Sequence, residues 1–269
     1  TEGVRFSFAT GAVTTLGAGA RVLLVKNVAA FRERHGDVRN VAGAFSGALA
    51  NEGERLTLTG PQQEIVFSFR YEPAWQPAAA GWGFALVPVR EDHGNRNLEQ
   101  PASWRVGAVL HGTPGAPEPE SPAVPPVVVN EVLSHAEPPQ SRAIELHNPG
   151  DTSADISGWF LTDDPYEPKY RIPKGTVLPP RGYRVFTEAD FNPSPGTPPS
   201  FNLNPAGDDV FVVSADTTGK LTGYVHGFSF GPAGPGVSLG RYLTSTGEEH
   251  FVAQAARTLG GANSGPAVG

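Results

Sequence analysis

The sequence contains no cysteine and no methionine. Lacking cysteine, it can form no disulfide, no thiolate nucleophile and no sulfur-ligated zinc site. Export is still open to it, because a domain with a large enough core can do without disulfides. No apolar run approaches the ~18–20 residues of a helical membrane span, and no signal peptide opens the chain. With no initiator methionine, the sequence reads as a processed product or an excised piece. Lysine is nearly missing: Lys26, Lys169, Lys174 and Lys220 are the only ones. Arginine and alanine abound, the coding bias of a GC-rich bacterial genome. The net charge is −7 and the isoelectric point about 5.5. No basic stripe is present to neutralise phosphates, which argues against a nucleic-acid partner. The nearest approach, Arg32, Arg34, His35 and Arg39, is interrupted by Glu33 and Asp37 and reads as the solvated face of a short helix.

Glycine (33) and proline (27) are plentiful and stand between short apolar runs, the spacing of many strands joined by turns. In the first half these runs are VRFSF, ARVLLVKN, ERLTLTG, IVFSFRY, FALVPV and WRVGAVL. One short helix is expected there, with Asn27 capping VAAFRERH and Gly36 ending it. Gly112 to Pro126, GTPGAPEPESPAVPP, is too rich in proline to build a core and is expected to act as a semi-rigid spacer. Beyond it come VVVNEVL, RAIELHN, DISGWFLTD, YRIP, YRVFT, DDVFVVSA, YVHGFSF and VSLGRYL. In RAIELHN, Ala143, Glu145 and His147 alternate with Ile144 and Leu146, the period of a half-buried strand. The reading is an all-β chain of two Ig-like β-sandwiches: residues 1–115, a Pro-rich linker at 116–126, and residues 127–269.

The two halves also repeat each other. Gly11–Phe31 parallels Gly175–Phe191, Phe45–Gly60 parallels Ser200–Ala215, and IVFSFRY parallels YVHGFSF. Gly83–Leu86 parallels Gly236–Leu239, and WRVGAVLHGTPGAPEP parallels HFVAQAARTLGGANSGP. In this alignment VRFSF falls opposite YRIP. The first copy therefore has no counterpart of VVVNEVL, RAIELHN or DISGWFL, and either was truncated or takes strands from another chain.

Asn130-Glu131, Ile144-Glu145-Leu146-His147-Asn148, and Ile156-Ser157-Gly158-Trp159 with Leu161-Thr162-Asp163 form a pattern that resembles the opening of the lamin tail domain family. GTVLPPRGYRVFTEADF resembles that family's next segment. The resemblance covers the second half, and the first half resembles the same family without its opening strands. It implies an Ig-like sandwich with no transferable catalytic residues. In bacteria such modules typically sit in exported multidomain proteins, and animal lamins use the domain for interactions at the nuclear lamina. Trp159 is expected at the sandwich centre. Glu145 should point to the face opposite Ile144 and Leu146, there to accept backbone N–H bonds or meet solvent.

Sites for chemistry are few. The seven histidines, His35, His93, His111, His135, His147, His226 and His250, stand in no nucleophile-elbow or zinc-protease context. Carboxylates are abundant, but sequence cannot pair them across a cleft. Asp163 and Asp164, in the loop DDPYE, are candidate calcium ligands; solvated turn carboxylates are the plainer reading. Trp75 and Trp82 could stack on sugar rings if exposed, or close an end of the core. The expectation is a non-enzymatic structural or interaction module of an extracellular or cell-surface bacterial protein. Its partners would be other domains of the parent protein or neighbouring chains. The alternatives are a polysaccharide-binding accessory module of a hydrolase, and an assembly subunit completed by a neighbour's strand.

Overall fold

The computed structural model describes residues 3–90 and 97–267, and the chain divides into two compact units, Thr1–Ser121 and Pro122–Gly269. His93 lies outside the described residues. The elements are overwhelmingly strands, so the all-β expectation holds.

Unit 1 carries strands β1 (Leu23–Val25), β2 (Val41–Ala44), β3 (Arg55–Thr59), β4 (Ile65–Arg70), β5 (Leu86–Pro88) and β6 (Trp104–Val106). They pair as three separate two-stranded ladders: β1–β2 parallel, β3–β4 and β5–β6 antiparallel. The one longer helix, α1 (Val28–His35), has the predicted caps. Asn27 Oδ1 accepts from Ala30 N, and Gly36 takes φ 73°, where a side chain would be strained. None of its residues is buried, so its arginines face solvent. VRFSF is not a strand: Arg5 bridges Ser46 alone, and a 3-10 turn at Phe8–Thr10 ends the extended backbone.

The proline-rich segment differs from a spacer. Glu118 accepts from Ala108 N and from the Thr113 hydroxyl, while Arg105 reaches Pro119 O and Ser121 Oγ. Residues 113–121 are thereby tied to unit 1. Val124 packs against the core of unit 2.

Unit 2 is a two-layer sandwich. Its strands are β7 (Val128–Leu133), β8 (Ala143–His147), β9 (Ala154–Asp155), β10 (Phe160–Thr162), β11 (Tyr170–Arg171), β12 (Val177–Leu178), β13 (Tyr183–Thr187), β14 (Asp208–Ala215), β15 (Leu221–Phe230), β16 (Leu239–Leu243) and β17 (Glu249–Ala253), with one helical turn α2 (Glu188–Phe191). One sheet runs β13-β8-β7-β16-β17, the other β11-β10-β14-β15, and β9 pairs with β12. Between the sheets lie Val129, Val132, Ile144, Leu146, Trp159, Leu161, Val210, Val212 and Phe228, among others. Trp159 is in this core, as expected from the motif.

Two local devices shape the sandwich. The β7–β8 register slips between Val129 and Glu131, leaving Asn130 as a bulge. That extra residue lets Val129 and Val132 both face the core although they are an odd number of positions apart, with Glu131 on the other face. Gly158 takes φ 84°, and a Cβ there would lie 2.6 Å from Asp216 O. Only glycine fits between Ser157 and Trp159 at this approach.

Short stretches of pairing in unit 1 resemble stretches in unit 2, up to a bulge after Leu58 in β3–β4. Leu56 faces Phe69 across β3–β4 as Val210 faces Phe228 across β14–β15. Leu86 faces Val106 as Leu239 faces Ala253, and each ladder continues alike, Gly107 N to Ala85 O and Gln254 N to Ser238 O. Phe69 lies over Trp104 with centroids 4.9 Å apart, and Phe228 stacks on Phe251 at 3.4 Å.

Candidate functional site

A strand with one wet face should bury alternate residues, yet β7 is buried along its whole length, and β8 up to His147. The second face is covered by the C-terminal segment, and the covering is built on two carboxylates. Glu131 and Glu145 are cross-strand partners, both 0 % exposed. Glu131 accepts from the Ser238 hydroxyl, Thr258 N at 2.9 Å and Thr258 Oγ1 at 2.7 Å. Glu145 accepts from Gly260 N and, at 2.7 Å, from Asn130 Nδ2. The bulged Asn130 in turn meets Asn263, whose Nδ2 also donates to Arg241 O at 2.8 Å. The Thr258 and Gly260 N–H groups of the loop thus end on buried carboxyl oxygens, which satisfies donors that would be costly to leave unpaired.

Burial pushes the Glu145 carboxyl up to about 7. The bonds from Gly260 and Asn130 work against that rise, and the charge of Glu131 adds to it. Burial first, and the neighbouring Glu131 carboxylate after it, make ionisation of Glu145 costly to the fold, with no cation among its hydrogen-bond partners.

A second cluster is centred on His226, midway along β15. Val129 N donates to His226 Nδ1 at 3.1 Å, so the ring proton sits on Nε2, 3.2 Å from Glu249. Arg241 binds the same carboxylate. Burial alone would raise Glu249, but the hydrogen bonds from His226 and Arg241 and the Arg241 charge beside it outweigh that and hold it down at about 2. This imidazole cannot serve as a general base, because its acceptor nitrogen is already taken by the backbone. His147 and His135 likewise hold backbone carbonyls, Gly182 O and Ala233 O.

The residues singled out from the sequence fall as follows. Trp82 is buried at 6 % exposure, and Trp75 is half-buried and stacked on Trp104. The two rings therefore do not form one exposed platform; the aromatic that joins Trp75 is Trp104. Asp163 is ion-paired with Lys169, and Asp164 Oδ1 accepts from Tyr166 N at 2.8 Å in a side-chain-closed turn. Among the described residues no three His, Asp or Glu side chains are grouped to hold a metal. Asn148, singled out in the sequence only as the last residue of the Ile144–Asn148 pattern, is central. Its Nδ2 lies 2.8 Å from Thr152 O and 3.0 Å from Pro179 O, and its Oδ1 accepts from Gly150 N. No helix among the described residues is long and apolar enough to cross a membrane.

The family model for the lamin tail domain matches residues 120–227. Glu131, Glu145, Asn148 and Trp159 all lie inside that match, while the loop that binds the carboxylates lies beyond it. No curated protein and no solved structure matches the chain.

Proposed function

We propose that the chain is a non-catalytic structural and interaction module of an exported or cell-surface bacterial protein. One observation carries this reading: the polar residues of the lamin-tail-like pattern are spent inside the fold. Glu131, Glu145 and Asn148 are each at most 1 % exposed, and every one is committed to backbone or side-chain donors and acceptors of unit 2 itself. Groups so committed brace a sandwich and have no capacity left for a substrate. Its partners, on this reading, are neighbouring domains or chains that meet its surface.

The reading includes unit 1 as a second copy of the same sandwich, supported by the like pairing of Leu56 with Phe69 and Val210 with Phe228 and by the ring contacts Phe69–Trp104 and Phe228–Phe251. The test is a turnover screen of the purified chain against polysaccharides and esters. No hydrolysis above buffer is expected, and robust turnover abolished by a single substitution in the chain would overturn the proposal.

A further inference from the structure

The loop that covers the outer face of β7 and β8 is closed at its base and fastened at its tip by different means. At the base, Ala255 N donates to Gly265 O at 2.9 Å, Gly265 N to Gln254 Oε1 at 3.0 Å, and Ala267 N to Ala253 O at 2.8 Å. Gln254 itself is buried. Both feet of the loop are thus tied to β17, and the tip, residues 257–263, can move without disturbing them. No residue of the tip is fully buried, so polar contacts carry its attachment. Its bonds to the sheet end on Glu131, Glu145, Asn130 and the Arg241 carbonyl.

The two carboxyls are an ill-matched pair. They stand opposite each other on neighbouring strands, both 0 % exposed. Among the described residues no cation donates to either. Glu131 has the Ser238 hydroxyl and the Thr258 N–H and hydroxyl as donors, whereas Glu145 has only Gly260 N and Asn130 Nδ2. Like charges held together out of water cannot both form cheaply, and the second falls on the carboxyl with fewer donors. The other groups around it bring no relief. Tyr183 on β13 and His147 on β8 stack on one another at 4.3 Å, and burial lowers the basicity of the imidazole. On β16, Gly240 stands opposite Glu131 and Arg241 is held by Glu249, while Arg257 on the loop is exposed. Opening the tip would admit water to Glu145 and return its carboxyl to the ordinary range. The closed loop therefore binds that proton more tightly than the open one.

We propose that residues 257–263 are a proton-controlled clasp, shut over β7 and β8 in mild acid and opening, with the sandwich intact, once Glu145 gives up its proton. A proton shifts this equilibrium only by its differential affinity for the two forms. Opening becomes about tenfold more frequent per pH unit between the ordinary carboxyl value and about 7, and levels off above that. The opening is local because the tip belongs neither to the β7–β8 ladder nor to the core between the sheets.

Amide exchange of the full chain, corrected for intrinsic rates, tests this. Protection of the Thr258 and Gly260 amides should fall at least tenfold from about pH 5 to about pH 7. Urea at about 1 M should leave that protection unchanged while lowering protection in the β14–β15 ladder, because a local opening exposes little surface. In Glu145→Gln the loop protection should stay level across the same pH range. The wild-type profile decides the matter if that variant does not fold. Equal protection at the two pH values would overturn the proposal. So would a loss at about pH 7 that deepens with urea as steeply as in the ladder, since the loop would then open only with the whole fold. A pH-dependent loss that persists in Glu145→Gln would overturn the assignment to this carboxyl.

Discussion

Glu145 shows how much of one residue's role a sequence can carry. The alternation in RAIELHN places it opposite Ile144 and Leu146, and a backbone acceptor was one of its two expected fates. Its partner Gly260 lies 115 positions downstream, so no local pattern could reveal that the second face of the strand is covered. The physical consequence is a pH dependence. A carboxyl near 4.5 in the unfolded chain and at about 7 when folded binds its proton more tightly in the native state. Its contribution to stability is therefore complete below about pH 4.5 and declines as pH rises to about 7. Glu145→Gln, neutral throughout, should remove that decline, worth up to ~3 kcal/mol. Urea unfolding from about pH 4 to pH 8 checks this, and parallel profiles for the two proteins would refute it. Asn148 is the complementary case, a neutral donor aimed at main-chain carbonyls. Asn148→Asp keeps the shape but sets an anion against Thr152 O and Pro179 O. The expected loss is ~2–4 kcal/mol at neutral pH, smaller in acid where the carboxyl can protonate.

At the scale of elements, strand existence was legible and strand environment was not. VVVNEVL, YRVFT, DDVFVVSA and YVHGFSF all became strands, because β-branched and aromatic runs between turn residues have few other outcomes. VRFSF failed for want of a partner beyond Ser46, since a strand is defined by what it pairs with. The bulge at Asn130 was hidden inside an apparently regular run, yet it sets which residues face the core. The same bulge presents Asn130 to Asn263 and so helps anchor the C-terminal loop. Thr258→Val removes the hydroxyl that Glu131 accepts and leaves the loop N–H bonds, Thr258 on Glu131 and Gly260 on Glu145. The expected result is faster amide exchange across residues 258–263 and a loss of ~1–3 kcal/mol, with the β14–β15 ladder unchanged. Unchanged exchange in the loop would mean that the carboxylates do not hold it.

At the scale of the molecule, the two units differ in how well their apolar surface is housed. Unit 2 encloses a continuous core between two sheets. Unit 1 has three two-stranded ladders and leaves Leu49, Ile65, Val66 and Phe67 more than 40 % exposed. A ladder of two strands is marginal without further packing, and buried apolar area is the main favourable contribution to stability. The units should therefore unfold separately, unit 1 at the lower denaturant concentration. The tryptophans make this measurable, because Trp75, Trp82 and Trp104 belong to unit 1 and only Trp159 to unit 2. In Trp159→Phe, fluorescence reports on unit 1 alone while far-ultraviolet circular dichroism reports on both. The fluorescence transition should come first and coincide with the earlier of two dichroism steps. A single coincident transition for both probes would mean that the units fold as one cooperative body, and that the smaller one draws its stability from the larger.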